Sequence, residues 1–471
     1  MPDDLGHLTP DEFRALGHEL VEWAARYLES LEDVPVLPDI APGWLRDQLP
    51  SDPPAEAEPW EAILADLDRL ILPSVSNWQS PRFMAYFPGN SSPAAMLGEL
   101  AVAALGQQGM LWSTSPASTE LEQVTCDWLA GLLGLPDVFR HAAGRGGGVI
   151  QDAASSATFV AAVAARHHAT GGDPAGLAAL RAYTSVDAHS SVEKAIRLAG
   201  LPADQLRLVE VDAERRMRAD ALAAVVDDDL AAGLQPFFVT STVGTTSFMA
   251  VDPVGAIGAI ARRAGAWHHV DAAMAGSAGA SPALRPLVTA GLDTADSYCV
   301  DPHKWLLTGM DCDVLYVADR ARLEAAMSVV PEYLRNAASD SGEVVDFRDW
   351  GVPLGRRFRS LKLWFVLRSY GTEGLAALVA RGDSLARDLG SRIEAHPALD
   401  LVVPAHVALV CLAHRDGDTA TQALIDAVNA TGAQVTHTRL DGRLVLRVST
   451  GQARTTVRHL DAVWEAIAAV A

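Results

Sequence analysis

Apolar and polar positions alternate differently in three stretches of the chain. Through residues 1–80 the apolar positions recur at helical spacing between proline-rich connections. Thr9-Pro10-Asp11-Glu12 opens the first helix with a capping residue, a proline and two acids. Phe13, Leu16, Leu20, Trp23, Ala24 and Tyr27 then form a single apolar stripe. Pro35, Pro38, Pro42, Pro50, Pro53, Pro54 and Pro59 break the next stretch into an extended arm, and residues 60–72 return to amphipathic helix spacing. Helices attached by such an arm have no core of their own, so the pattern predicts that their apolar faces are covered by a partner subunit.

From about 148 to 318 short apolar runs alternate with helical patterns. This predicts a mostly parallel sheet covered by helices. Strands are expected at 181–185, 206–211, 236–242, 267–270 and 297–300, with a helix over 219–232 between the second and third. A further helix is expected after Asp252-Pro253, closed by Gly265. From about Thr372 the pattern becomes helix, strand, helix, with strands at 409–413 and 444–449 and a closing helix over 455–470. This last region reads as a small α+β domain without evident catalytic residues.

Two of the central strands end on chemistry. Asp271 follows the strand 267–270, and Lys304 follows the strand 297–300 within Asp301-Pro302-His303-Lys304. Open α/β sheets bind ligands at the carboxyl ends of their strands. Taken alone, a strand-end aspartate is often a helix cap and a strand-end lysine is usually solvated. Together in one strand–helix–strand unit they form the pair that pyridoxal phosphate (PLP) requires. A lysine forms the Schiff base and a carboxylate holds the pyridine nitrogen protonated. Upstream, residues 144–158 run G-R-G-G-G-V-I-Q-D-A-A-S-S-A-T: glycines, an apolar strand, then small residues opening a helix. That order suits an anion seat at a helix N-terminus. The dinucleotide fingerprint G-x-G-x-x-G is absent from it.

Composition narrows the options. The 471 residues carry a formal charge of −22, which argues against nucleic acid or an anionic membrane as partner. The four cysteines are scattered without a C-x-x-C, so a zinc knuckle or dithiol is not expected, and reduced thiols in a cytoplasmic setting are the simplest reading. The N-terminus lacks a signal-peptide pattern, and no uncharged apolar run is long enough to span a bilayer. His167-His168 and His268-His269 are adjacent pairs whose side chains diverge, so no metal site is expected from either. Residues 328–350 have no clean period and a small, polar middle, the pattern of a mobile functional loop.

Three segments carry a resemblance: H-V-D-A-A at 269–273, D-P-H-K-W at 301–305 and P-L-G-R-R-F-R-S-L-K at 353–362. They resemble the PLP-dependent group II amino-acid decarboxylases, most of all the aromatic-L-amino-acid decarboxylases, over about residues 78 to 370. The resemblance implies a homodimeric α/β enzyme of the PLP-dependent transferase-like fold (fold type I), with a mostly parallel seven-stranded sheet. It implies an N-terminal helical dimerisation segment at 1–85, a large PLP-binding domain at 86–370 and a small α+β domain at 371–471. It makes Lys304 the Schiff-base lysine and Asp271 the partner of the pyridine nitrogen. His189, in A-H-S-S, stacks on the cofactor ring and assists proton transfer, and Thr246 lies near the ring. Ala154, Ser155, Ala273 and His303 complete the cofactor contacts. Trp78, Tyr86, Phe87 and Pro88 line the substrate pocket. Tyr333 closes over the partner's site and returns a proton to the product carbanion, whereas a phenylalanine at that place in relatives accompanies aldehyde formation.

Two positions depart from that pattern. Gln151-Asp152-Ala153-Ala154-Ser155 stands where the family usually has Q-G-S-A-S, and Asp301 stands where many relatives carry asparagine. An acid beside a phosphate is unfavourable unless it turns away or is protonated, so Ala154 and Ser155 are left as the expected donors. The function implied is decarboxylation of an aromatic L-amino acid to amine and CO₂. Aldehyde synthesis, decarboxylation of an acidic amino acid and PLP binding without turnover remain alternatives. An acidic substrate would want paired basic residues, and residues 78–88 offer only Arg82. Gly89 would widen the pocket in favour of an indole.

Overall fold

The computed structural model describes residues 8–329, 338–339 and 343–471. Runs of apolar residues bounded by glycines and helix caps produce seven central strands: β1 Gly147–Gln151, β2 Leu180–Ser185, β3 Leu206–Val209, β4 Gln235–Thr242, β5 Trp267–Asp271, β6 Ser297–Val300 and β7 Asp313–Val317. They form one sheet in the order β1-β7-β6-β5-β4-β2-β3. β3, β2, β4, β5 and β6 run parallel, and β7 lies antiparallel between β1 and β6. Each strand except β3 and the first residue of β4 is buried almost throughout, as expected of a sheet covered on both faces. Four further strands, β8 Leu399–Leu401, β9 Leu409–His414, β10 Thr436–Leu440 and β11 Arg443–Ser449, make a separate antiparallel sheet ordered β10-β11-β9-β8. The helical run Arg359–Glu394 leads to it and is broken at Gly371, whose φ of 62° only glycine adopts readily.

The expected mostly parallel, seven-stranded architecture is therefore present, and the differences from expectation are local. The helix after Asp252-Pro253 runs Val254–Ala264 and ends at Gly265 in the left-handed conformation. Asp252 does not cap it. Its buried carboxylate accepts the N–H groups of Met217 (2.7 Å) and Thr242 (2.7 Å), fastening the end of β4. The helix expected over 60–72 is α-helical only at Trp60–Asp66. It continues as a π turn at Leu67–Ile71 and a 3-10 turn at Leu72–Ser74, where Pro73 supplies no N–H to the ladder.

The first helix, Pro10–Glu29, has the expected capping box between Thr9 and Glu12. None of its residues is buried, and Phe13 (57%), Leu20 (46%), Trp60 (42%) and Ile63 (42%) remain exposed. Arginines 356, 357 and 359 pair with acids. Arg357 meets Glu99, and Arg359 meets Asp311 at 2.9 Å. Arg356 joins Glu122 of the helix Pro116–Leu133, and both groups bond the backbone of Ile150 in β1. That fully buried cluster locks β1 against the helical layer.

In β5 the two histidines turn to opposite faces. His268 meets Ser241 at 2.8 Å, and His269 lies between Ser297 at 2.8 Å and Thr158 at 3.3 Å. Burial pushes their pKa values down to about 4 and about 3, so both are neutral in the native state. Unfolding below pH about 6.5 lets each take up a proton, so their contribution to stability falls as pH falls from 6.5 towards those values. Asp252 acts in the opposite sense. Burial raises it to about 6, so it favours the fold increasingly as pH drops through that range. His269→Gln should therefore flatten the dependence of apoprotein stability on pH between 4 and 6 by about 1.4 kcal/mol per pH unit, the equivalent of one proton. Urea unfolding at several pH values measures this, and an unchanged slope would contradict the buried neutral assignment.

Candidate active site

β6 ends at Val300 and the chain turns at once into the single helical turn Pro302–Trp305. Proline at its first position fixes the entry, and the Lys304 N–H donates to the Asp301 carbonyl at 2.9 Å. The lysine side chain is 26% exposed, whereas Asp301 is buried, so the amine faces an opening from a floor of protein. Lys304 Nζ lies 2.7 Å from Asp301 Oδ2. Burial alone would pull the ammonium pKa down; Asp301 and, more weakly, Asp271 outweigh it and the net shift is upward.

Asp271 closes β5, directly opposite Cys299 of β6 in the parallel register. It is buried, and its Oδ1 accepts the Ala273 N–H at 3.1 Å with the Cys299 thiol 3.9 Å away. Burial raises its pKa, opposed by the Lys304 charge, the Ala273 N–H and His189. A third carboxyl was not singled out from the sequence. Asp313 opens β7 opposite Gln151 of β1 and is fully buried. Burial and the neighbouring Asp301 carboxylate push its pKa well above the usual carboxylate range. Its signal was an acid at the head of the otherwise apolar run D-V-L-Y-V. His303 is buried beside them; its Nδ1 accepts the Cys312 N–H at 3.1 Å, and burial lowers its pKa.

The expected anion seat lies at the start of the helix Ala154–Thr170. Here one expectation changes. The Ala154 N–H is not free but donates to Asp301 Oδ1 at 3.1 Å. Asp301 thus turns into the seat, because its carboxylate has both a helix N-terminus and an ammonium group within reach. Ser155 is exposed at the same end. His189 is exposed above, with its Nδ1 accepting the Ser191 N–H at 3.2 Å, so a neutral ring carries its proton on Nε2. Thr246 is exposed in the loop after β4, and its carbonyl accepts from Arg447 at 2.6 Å. Arg447, also missed in the sequence, lies 5.5 Å over the Phe87 ring and ties the Thr246 loop to β11.

Trp78 stacks on Phe83 at 4.3 Å and on Tyr86 at 6.0 Å. Trp78 and Tyr86 are exposed, 39% and 59%, while Pro88 is buried beneath them. Arg82, the lone cation of this stretch, donates to the Glu32 carbonyl. Tyr333 lies outside the described residues.

The donor set fits PLP: an accessible amine, a buried carboxylate, a helix N-terminus and an open imidazole. The chain has only three lysines. Lys194 is exposed on the helix Ser191–Leu198, and Lys362 is fully buried against Glu99 at 2.8 Å. Lys304 alone stands beside Asp271 and the seat. The Asp301 carboxylate, bonded to the head of the helix Ala154–Thr170, opposes an incoming phosphate.

Residues 42–415 match the pyridoxal-dependent decarboxylase conserved domain. The chain is 42% identical to phenylacetaldehyde synthase of Arabidopsis thaliana, covering 98% of this chain and 96% of that protein. It is 41% identical to aromatic-L-amino-acid decarboxylase of Mus musculus, covering 98% and 97% respectively. A crystal structure of Oryza sativa TDC with PLP and tryptamine superposes with a TM-score of 0.95 at 40% identity, covering 98% of each chain. With sheet, lysine and carboxylate in place, and with these likenesses running through nearly its full length, the chain belongs to the pyridoxal-dependent decarboxylases and uses PLP as its cofactor.

Proposed function

We propose that this protein decarboxylates an aromatic L-amino acid to its amine and CO₂, with Lys304 as the lysine that holds the cofactor. The observation that carries the reading is the exposed Trp78–Tyr86 stack, which is continuous in sequence with Pro88 and the loop packed on the Lys304 turn. Stacked aromatic faces favour an aromatic substrate side chain. An acidic substrate would want paired basic residues, and residues 78–88 hold only Arg82, whose guanidinium donates to the Glu32 carbonyl.

When bound, PLP supplies a protonated pyridine ring that accepts the electron pair released as CO₂ departs. The Asp271 carboxylate holds the proton on the ring nitrogen, and its burial strengthens that interaction. Lys304 would hold the cofactor through its amine, which Asp301 orients at the mouth of the seat. His189, whose Nδ1 is engaged by the Ser191 N–H, would lie against the cofactor ring and leave Nε2 for proton transfer. Tyr333 is assigned the proton delivered to the substrate Cα, on its sequence correspondence, and Trp78 and Tyr86 grip the substrate ring. The similarity to a phenylacetaldehyde synthase favours aldehyde formation as the second reading; tyrosine rather than phenylalanine at 333 favours the amine.

The exposed apolar faces of Pro10–Glu29 and Trp60–Asp66 support a homodimer, extended by Leu97, Leu100 and Leu105 of the helix Pro93–Leu105 and by Val124 and Trp128 of Pro116–Leu133. No described helix is long and apolar enough to cross a membrane.

Three outcomes are expected. The purified protein with PLP should release CO₂ and amine in equal amounts from one or more of phenylalanine, tyrosine, tryptophan and their hydroxylated forms, without peroxide. Turnover confined to glutamate or aspartate would overturn the substrate assignment, and activity retained in Lys304→Ala would overturn the lysine. Tyr333→Phe should divert product from amine to aldehyde with peroxide and ammonia, and an unchanged product ratio would remove Tyr333 from proton delivery. Light scattering should give about twice the chain mass of 49.9 kDa; a stable monomer would contradict the dimer.

A further inference from the structure

The turn that carries Lys304 is too short to satisfy its own carbonyls. In the four-residue helix Pro302–Trp305, the Asp301 and Pro302 carbonyls accept the N–H groups of Lys304 and Leu306. The chain then leaves helical geometry, with Leu307 at a φ of 67°. Helix ends leave orphan carbonyls that something else must satisfy. Here the Lys304 carbonyl accepts a hydrogen bond from Asn90 Nδ2 at 2.7 Å.

Asn90 is wholly buried and fully engaged. Nδ2 also donates to the Gly451 carbonyl at 2.9 Å, and Oδ1 accepts the Ala453 N–H at 2.8 Å. Its own carbonyl accepts the Gly309 N–H at 2.8 Å. One side chain therefore joins three segments: the end of the aromatic stretch 78–89, the lysine turn, and the 451–453 loop that follows β11. Gly451 packs against Pro88 and Met274, and a Cβ there would meet Met274 Cε at 2.9 Å and Pro88 Cγ at 3.2 Å. Ser92, two residues on, donates to the Leu307 carbonyl at 2.9 Å beyond the lysine turn and caps the helix Pro93–Leu105 through the Ala95 N–H.

We infer that Asn90 is a positioning residue for Lys304, fixing the lysine backbone relative to the substrate wall and to the second sheet, so that the amine is presented to the cofactor aldehyde in one geometry. The inference rests on the assignment of Lys304 made above. An asparagine amide suits the place because it donates twice to carbonyls and accepts once from an N–H at a single point. Alanine leaves all three partners unpaired. Aspartate has the same shape and still accepts from Ala453 but sets a carboxylate against two carbonyls. Small displacements of a reacting group are costly in rate, which is why such a group is held by a buried, satisfied shell.

The test follows the rate at which apoprotein forms its covalent lysine–PLP linkage, read by visible absorbance, and the pH midpoint of that absorbance, for wild type, Asn90→Ala, Asn90→Asp and Ser92→Ala. Thermal unfolding of each apoprotein is measured alongside. Ser92→Ala removes the bond to the Leu307 carbonyl and the N-cap of the helix Pro93–Leu105 without touching the Lys304 carbonyl, and it reports the structural cost of disturbing this loop. The expected result is linkage formation at least tenfold slower and a displaced midpoint in Asn90→Ala and Asn90→Asp, with Ser92→Ala close to wild type in both. If Asn90→Ala fails to fold, Asn90→Asp carries the comparison. Wild-type rate and midpoint in a destabilised Asn90 variant would overturn the positioning role. A wild-type linkage formed on a lysine other than Lys304 would instead overturn the lysine assignment on which the inference depends.

Discussion

One amine sits among buried carboxyl groups at the carboxyl edge of the sheet, and much of the molecule follows from making that arrangement tolerable. Lys304 contacts Asp301 at 2.7 Å with Asp271 and Asp313 nearby. Buried like charges repel strongly, and each isolated ion is costly to desolvate. The site answers with three devices. Burial favours the neutral form of Asp313, Asp271 takes the Ala273 N–H, and Asp301 shares itself between an ammonium group and the N–H at the head of a helix. The result is an amine held ready and a carboxylate held ionisable, the two groups that pyridoxal chemistry asks of a protein.

The scaffold positions these groups by strand order. β5 and β6 are neighbours and parallel, so Asp271 and the Lys304 turn leave the sheet on the same edge. β1 and β4 contribute the seat and the Thr246 loop from either side, and β11 of the second sheet reaches the same edge through Arg447. Buried pairs such as Arg356–Glu122 hold the layers from behind without taking part in the chemistry.

Much of this was legible in the sequence because it is local. The strand boundaries at 267–270 and 297–300 fall within a residue of those observed, since each is a short run that ends in valine and is closed by an acid. Gly265 and the Thr9–Glu12 box marked helix ends for reasons confined to one turn. What escaped depends on residues distant in the chain. Asp252 directly precedes a helix, yet its carboxylate is drawn to Met217 and Thr242 by the packing of β4. Asp301 stood out as unfavourable beside a phosphate unless turned away or protonated, and lysine and helix dipole together draw it into the seat. Asn90 passed unnoticed beside its aromatic neighbours because its three partners lie more than 200 residues away.

The central claim is that the amine at the end of β6 is the one that holds the cofactor. Borohydride reduction of the PLP-loaded protein, followed by digestion and mass spectrometry, tests it directly, because only three lysines can carry the label. A single pyridoxyl group is expected on the peptide containing Lys304, with Lys194 and Lys362 unmodified. A label on either of those lysines, or none on Lys304, would contradict it.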